Sequence, residues 1–253
     1  MSVFDPFKMT ANINRAHTQF SDADRFLYRW AEQHIADRLK DIKRSFKNVK
    51  IISDYPIDID GVDANSASPT QPYDAVISVL NLHRHETPQA QLKDAFATLK
   101  PDGLFLSLFF GGDTLQELKQ SLIKAETDIS GGAHQRTTPL MTKQQAGALM
   151  QSTGFALPVI DSERIIVDYE KLETLYKDLR AMGETQALSA RPKQAPPKAL
   201  FENTKAHYGN DHSENDKFIA TFDVIFCAGW TPDESQQKPM RPGSAKTSLK
   251  DVL

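Results

Sequence analysis

Hydrophobic positions between Tyr73 and Phe110 follow a strand, helix, strand rhythm. Tyr73 to Leu82 is an apolar run broken only by small or polar residues, Asp74, Ser78 and Asn81. From Thr87 to Lys100, Leu92, Phe96 and Leu99 recur on one helical face. Pro101-Asp102-Gly103 reads as a turn. Leu104 to Phe110 is almost continuously apolar, as expected of a strand covered on both faces. Two such strands joined by a helix predict a right-handed βαβ unit in a parallel sheet. Ligands of such sheets sit beyond the carboxyl ends of the strands. Those ends are Asn81-Leu82-His83 and Gly111-Gly112-Asp113.

The flanking chain carries weaker signals. Residues 1–20 show no clear period and read as an N-terminal extension. Ser21 to Asp24 fits a capping box, and Leu27, Ala31, Ile35, Leu39, Ile42 and Phe46 then mark the inward face of a long helix. Trp30 and His34, one turn apart on it, read as packing residues. Val49 to Ser53 is a short strand, and Asp54 to Thr70 an acidic, exposed loop. A second capping box, Thr114 to Glu117, opens a helix with Leu115, Leu118, Leu122 and Ala125 inward. A polar loop over 130–139, a helix over 142–152 capped by Gly154 and a strand within 155–167 follow. Leu172 to Met182 is a helix closed by Gly183. A basic, proline-containing connection spans 189–199, and Phe218 to Trp230 is the last strong strand. The pattern thus predicts one domain over 21–230 and a polar tail over 231–253.

Composition narrows the function classes. The chain has 253 residues, 40% hydrophobic and 25% charged, with a formal net charge of -3. That charge gives no general attraction to nucleic acid or an anionic membrane. No apolar run approaches the ~20 residues of a membrane span. The first twenty residues lack the marks of a targeting leader, so a cytoplasmic protein is expected. The single cysteine, Cys227, excludes an internal disulfide and sits in FDVIFCAGW, where it reads as a buried small hydrophobe. Asp58, Asp60 and Asp63 imitate the start of a calcium loop. The glycine at its sixth position and the later glutamate are missing, so no metal is expected there.

Seven segments carry a family resemblance: MSVFD at 1–5, RFLYRWAEQHIADRLKDIKRSF at 25–46, YDAVISVLNLH at 73–83, LKPDGLFLSLFFGGDTLQEL at 99–118, GFALPVI at 154–160, DLRAMGET at 178–185 and GWTPDESQQKPMRPGSA at 229–245. With them the chain resembles class I, S-adenosylmethionine-dependent methyltransferases of the type 11 group. Within that group it is similar to bacterial relatives of a mitochondrial complex I assembly factor described as an arginine hydroxylase. More loosely it resembles malonyl-carrier-protein methyltransferases. The resemblance implies an α/β fold with a Rossmann-like doubly wound sheet.

One part of the family pattern is missing. The family's first strand runs into a glycine-rich loop, and an acidic residue after its second strand holds the donor ribose. Here no glycine precedes Gly61 and no G-x-G occurs. Between Ser53 and Tyr73 there are too few residues for the usual helix, strand, helix and strand, since one βαβ unit needs roughly 30. The sheet is therefore expected to be truncated in its N-terminal half and donor binding to be lost, with no cofactor. S-adenosylmethionine is the cofactor only if the pocket is rebuilt, with Asp54, Asp60, Ser78, Asn81 and Leu82 as its candidate binding residues. His83 and Asp113 are the candidate catalytic residues, and Glu184 a substrate-side residue by resemblance. Arg84-His85 departs from the aromatic and hydrophobic pair that relatives tend to carry. The expected function is a non-catalytic scaffold or assembly factor that pairs with a protein or with an intact homologue. Its expected contact surfaces are the helix from Arg25, the 130–139 loop and the tail. The alternative is an active methyltransferase or related hydroxylase.

Overall fold

The computed structural model describes residues 2–42, 44–63 and 67–237. Among the described residues one sheet runs in the order β1-β2-β3-β6-β4. Its strands β1 (Val49–Ile52), β2 (Tyr73–Val79) and β3 (Leu99–Phe110) are parallel neighbours. Next to β3, β6 (Lys217–Trp230) runs antiparallel and separates it from β4 (Ala156–Tyr169). The two-residue β5 (Ser213–Glu214) forms a hairpin with the start of β6.

The helices are α1 (Pro6–Gln19), α2 (Phe26–Ile42), α3 (Pro88–Thr98), α4 (Gln116–Ser130), α5 (Lys143–Thr153), α6 (Leu172–Ala181) and α7 (Lys198–Asp211). They cover both faces of the sheet, and strand alternation sorts the core accordingly. Leu104, Leu106, Leu108 and Phe110 join the cluster built with α2, α6 and Tyr208 of α7; Phe105 and Phe109 join the cluster under α3 and α5. The full burial of β3 from Gly103 onward agrees with its continuous apolar pattern. Among the described residues no helix is long and apolar enough to cross a membrane.

β1 is the outermost strand on its side. A doubly wound sheet in the order 3-2-1-4-5-6 carries two further strands beyond strand 1; among the described residues no strand lies beyond β1. The 53–72 connection supplies the crossover that parallel neighbours need, with no helix among its described residues. It is not the fully exposed loop that its acidity predicts, because Tyr55 and Ile59 are buried in the core. Asn48 fixes its far end, accepting from the Ser68 amide at 2.7 Å. Residues 64–66 of this loop lie outside the described residues.

Several expectations need correction. Residues 6–19 are a helix, not an aperiodic extension: Asp5 caps α1 through the Lys8 amide and Pro6 opens it, but only Asn12 and Ala16 are buried, so the period is faint. The Ser21 capping box exists, but it caps a short 3-10 turn (Asp22–Asp24), and α2 starts at Phe26 and ends before Phe46. Pro101-Asp102-Gly103 is no strand-ending turn. It is an irregularity inside β3, with Asp102 at φ 56° and a register shift against Tyr73 and Ala75. The Thr114 box does not cap α4. Thr114 donates instead to the Asp223 carbonyl, and Glu117 accepts from Thr221. The tail beyond residue 237 lies outside the described residues.

Candidate functional site

Three segments meet beyond the carboxyl ends of β1 and β2. Asp54 follows β1. Asn81 leads from β2 into the 3-10 turn Leu82–Arg84, after Leu80 has bent the chain at φ 46°. The third segment is the end of α6. There the Gly183 amide donates to the Arg180 carbonyl at 3.1 Å and the Glu184 amide to the Leu179 carbonyl at 2.7 Å. These two bonds, with Gly183 at φ 73°, form a Schellman close. It turns the Met182 carbonyl and the Glu184 carboxylate toward the strand ends.

Arg84 joins the three. Its buried guanidinium donates to Asp54 Oδ2 at 2.6 Å, to the Met182 carbonyl at 2.6 Å and to Tyr28 Oη at 3.3 Å. Nε and Nη2 also converge on Glu184 Oε1 at 2.8 and 2.5 Å. The His83 ring completes the cluster, with Nε2 at 2.9 Å from the same oxygen. The Phe110 amide points at His83 Nδ1 from 3.5 Å, so Nδ1 is the acceptor and Nε2 carries the proton. Asn81 donates to Asp54 and accepts from Gln91.

Burial by itself would raise the Glu184 carboxyl. The charge of Arg84 and the bonds from His83 and Arg84 outweigh it and hold Glu184 at about 2. Burial would likewise lower the Arg84 guanidinium, and the charge of Glu184 reverses the direction. One cation thus faces two carboxylates at hydrogen-bonding distance, which is the arrangement that makes a buried charge tolerable. The void beside Arg84 and Glu184 measures about 30 Å³. That is room for a water molecule or two.

The sequence candidates therefore separate. Asp54, Asn81 and His83 come together, with Glu184. Asp60 does not join them: it is exposed and pairs with Lys40 at 3.2 Å. Asp113 is exposed too, paired with Arg164 at 2.7 Å, and caps no helix. Ser78 is fully buried beside Ser107 in the sheet interior, and Leu82 is part of the core under α3. Cys227 is buried, and burial pushes its thiol up to about 12, which makes it a poor nucleophile. Trp30 and His34 stack at 4.0 Å against Phe226, as packing residues.

A larger cavity opens next to the cluster, with a volume of about 460 Å³. Phe110, Leu115, Leu118, Leu122, Leu140 and Phe222 form its apolar wall, and His83 and Glu184 line one side. Lys8, Arg15, Arg136 and Arg180 also line it. Arg136 is paired with Glu126 at 2.6 Å. The sequence reading missed this cavity because its lining comes from α1, α4, α6, α7 and the 136–140 loop. The one signal for its basic side was Asp5-Pro6, a capping pair that would have placed Lys8 and Arg15 seven apart on one helical face.

The sheet order, the helices on both faces and the crevice at the strand ends make this a Rossmann-like α/β protein of the class I methyltransferase type. No family model matches the chain. Among curated proteins it is similar to arginine-hydroxylase NDUFAF5, mitochondrial, of Dictyostelium discoideum, with 35% identity over 72% of this chain and 42% of that protein. The human protein of the same name is 33% identical over 71% of this chain and 52% of its own length. A malonyl-[acyl-carrier protein] O-methyltransferase of Laribacter hongkongensis is 28% identical over 67% of this chain and 55% of that one. The chain is a homologue of these proteins and spans about half the length of the curated relatives it matches.

Proposed function

We propose that this chain is a methyltransferase-fold protein that no longer takes up S-adenosylmethionine and works as a non-catalytic binding or assembly factor. The observation that carries this reading is Arg84. In a doubly wound sheet the ligand lies in the crevice at the strand ends, and here Arg84 bridges the ends of β1 and β2 through Asp54. A ribose needs an acidic acceptor, and Asp54 Oδ2 already accepts from Arg84 and Asn81. Close backbone approach needs glycine, and no glycine precedes Gly61. The residues present do not fit the donor, so no chemical step is assigned to it.

A protein partner follows from the same geometry. Among the described residues no strand pairs with the outer edge of β1, and such an edge accepts a strand from another chain. A protein that supplies the missing half-sheet, an intact homologue included, suits that edge. The resemblance to a respiratory-complex assembly factor points to the same class of work. The competing reading is a working transferase or hydroxylase with a rebuilt pocket. It rests on the His83–Glu184 pair in the wall of the larger cavity, but both ring nitrogens of His83 face partners within the chain.

Calorimetric titration with S-adenosylmethionine and S-adenosylhomocysteine tests the reading. No heat at millimolar ligand is expected. A dissociation constant of micromolar order, about -8 kcal/mol, would overturn it.

A further inference from the structure

The cavity of about 460 Å³ falls within the roughly 300–1,000 Å³ of small-molecule sites. Its charges are one-sided. Lys8, Arg15 and Arg180 line it, and among the described residues none of the three has a carboxylate within salt-bridge distance. Arg15 is held in place by Thr185 Oγ1 at 2.7 Å and Asn12 Oδ1 at 3.3 Å, yet its Nε has no partner. The Tyr176 hydroxyl, also on the lining, is buried without a partner. The lining carboxylate, Glu184, is already engaged by the Arg84 guanidinium and the His83 ring. Buried donors without acceptors are costly. An apolar wall beside uncompensated cations and an idle hydroxyl is therefore complementary to one kind of molecule.

We infer that this cavity binds a small amphiphile with an anionic head and an unbranched apolar tail, of the fatty-carboxylate type. The tail lies along Leu115, Leu118, Leu122 and Phe222. The carboxylate takes donors from Arg15 and from Lys8 and Arg180. This site lies beside the Arg84 crevice, with His83 and Glu184 in the shared wall, and does not depend on whether the donor binds.

Titration calorimetry with dodecanoate below its micellar concentration tests the inference, with dodecan-1-ol and dodecyltrimethylammonium as matched neutral and cationic probes. Dodecanoate is expected to bind one to one, and the alcohol and the cation at least about tenfold more weakly. Lys8→Gln and Arg180→Gln, both away from the folded core, should each weaken dodecanoate, and together by about tenfold or more. Arg15→Gln should do so alone; because Arg15 also holds Thr185, its result counts only with an unchanged circular dichroism spectrum. Equal binding of the three head groups, undiminished binding by the Lys8/Arg180 double variant, or no dodecanoate binding would each overturn the inference. None of these outcomes bears on the adenosyl titration: a protein that bound both ligands would lose the scaffold reading and keep this one.

Discussion

Arg84 and Glu184 stand 100 positions apart and meet on a single oxygen, Glu184 Oε1, which accepts from Arg84 Nε and Nη2. The pair ties the end of β2 to the end of α6. Removing one member leaves the other charge buried and unpaired. Arg84→Met is therefore expected to cost about 3–5 kcal/mol. The double variant Arg84→Met/Glu184→Gln should cost less than the sum of the singles, with a coupling of about 1–3 kcal/mol. Urea denaturation of the four proteins measures this, and additive losses would mean that the two residues act independently.

Acid should expose the same carboxylate. Glu184 and Glu126 sit at about 2 in the folded protein, against 4.5 for a free glutamate. A carboxyl held below its unfolded value binds fewer protons when folded, so its contribution is complete above about 4.5 and is lost as the pH falls toward 2. Asp223 and Asp178 work the other way, because burial raises both. The two glutamates shift further, so stability should fall on acidification through that window. Glu184→Gln should flatten the fall, as read from urea midpoints between pH 2 and pH 6. A variant with the parent's full pH dependence would contradict the assignment.

Much of the sheet was legible because its strands are pure in pattern. The runs at 73–79 and 104–110 admit one reading, and Thr142 and Gly154 mark the ends of α5 by capping alone. What the sequence hid was tertiary. The helix α1 buries two small or polar residues, too few to show a period. Thr114 has the spacing of a cap, yet its hydroxyl finds the Asp223 carbonyl on β6 instead. Arg84 stood out as a departure at the strand end, and Glu184 as a candidate by resemblance. Nothing local to either shows that they are partners. The cavity is less legible still, since its walls come from both ends and the middle of the chain.

Glu126 fixes the 130–139 loop as a staple. It accepts from the His134 amide and ring, at 2.8 Å each, and from Arg136 Nη2 at 2.6 Å. Glu126→Gln keeps the shape and removes the charge, weakening three charge-assisted bonds. The loop should open more often while the core persists. Limited trypsin digestion should cut after Arg136 several times faster in this variant, at nearly unchanged global stability, within about 1–2 kcal/mol. An unchanged cutting rate would show that the loop is ordered by other contacts.

Gly183 is the position where α6, the loop over β1 and the Arg84 cluster are built on one backbone shape. Its φ of 73° suits glycine, and a β-carbon there would lie 2.7 Å from the buried Tyr55 hydroxyl. Tyr55 cannot yield freely, since it packs edge-on to Tyr28 and beneath Arg25. Gly183→Ala therefore combines left-handed strain with overpacking, and about 2–4 kcal/mol of destabilisation is expected. The Schellman close would loosen with it, moving the Met182 carbonyl and the Glu184 carboxylate from Arg84. Tyr55 can be tested as the cause. Gly183→Ala/Tyr55→Phe removes the clashing oxygen, which has no hydrogen-bond partner to lose. It should recover part of the loss in denaturant midpoint, leaving the backbone strain. If the double variant is no more stable than Gly183→Ala, backbone strain alone accounts for the need for glycine.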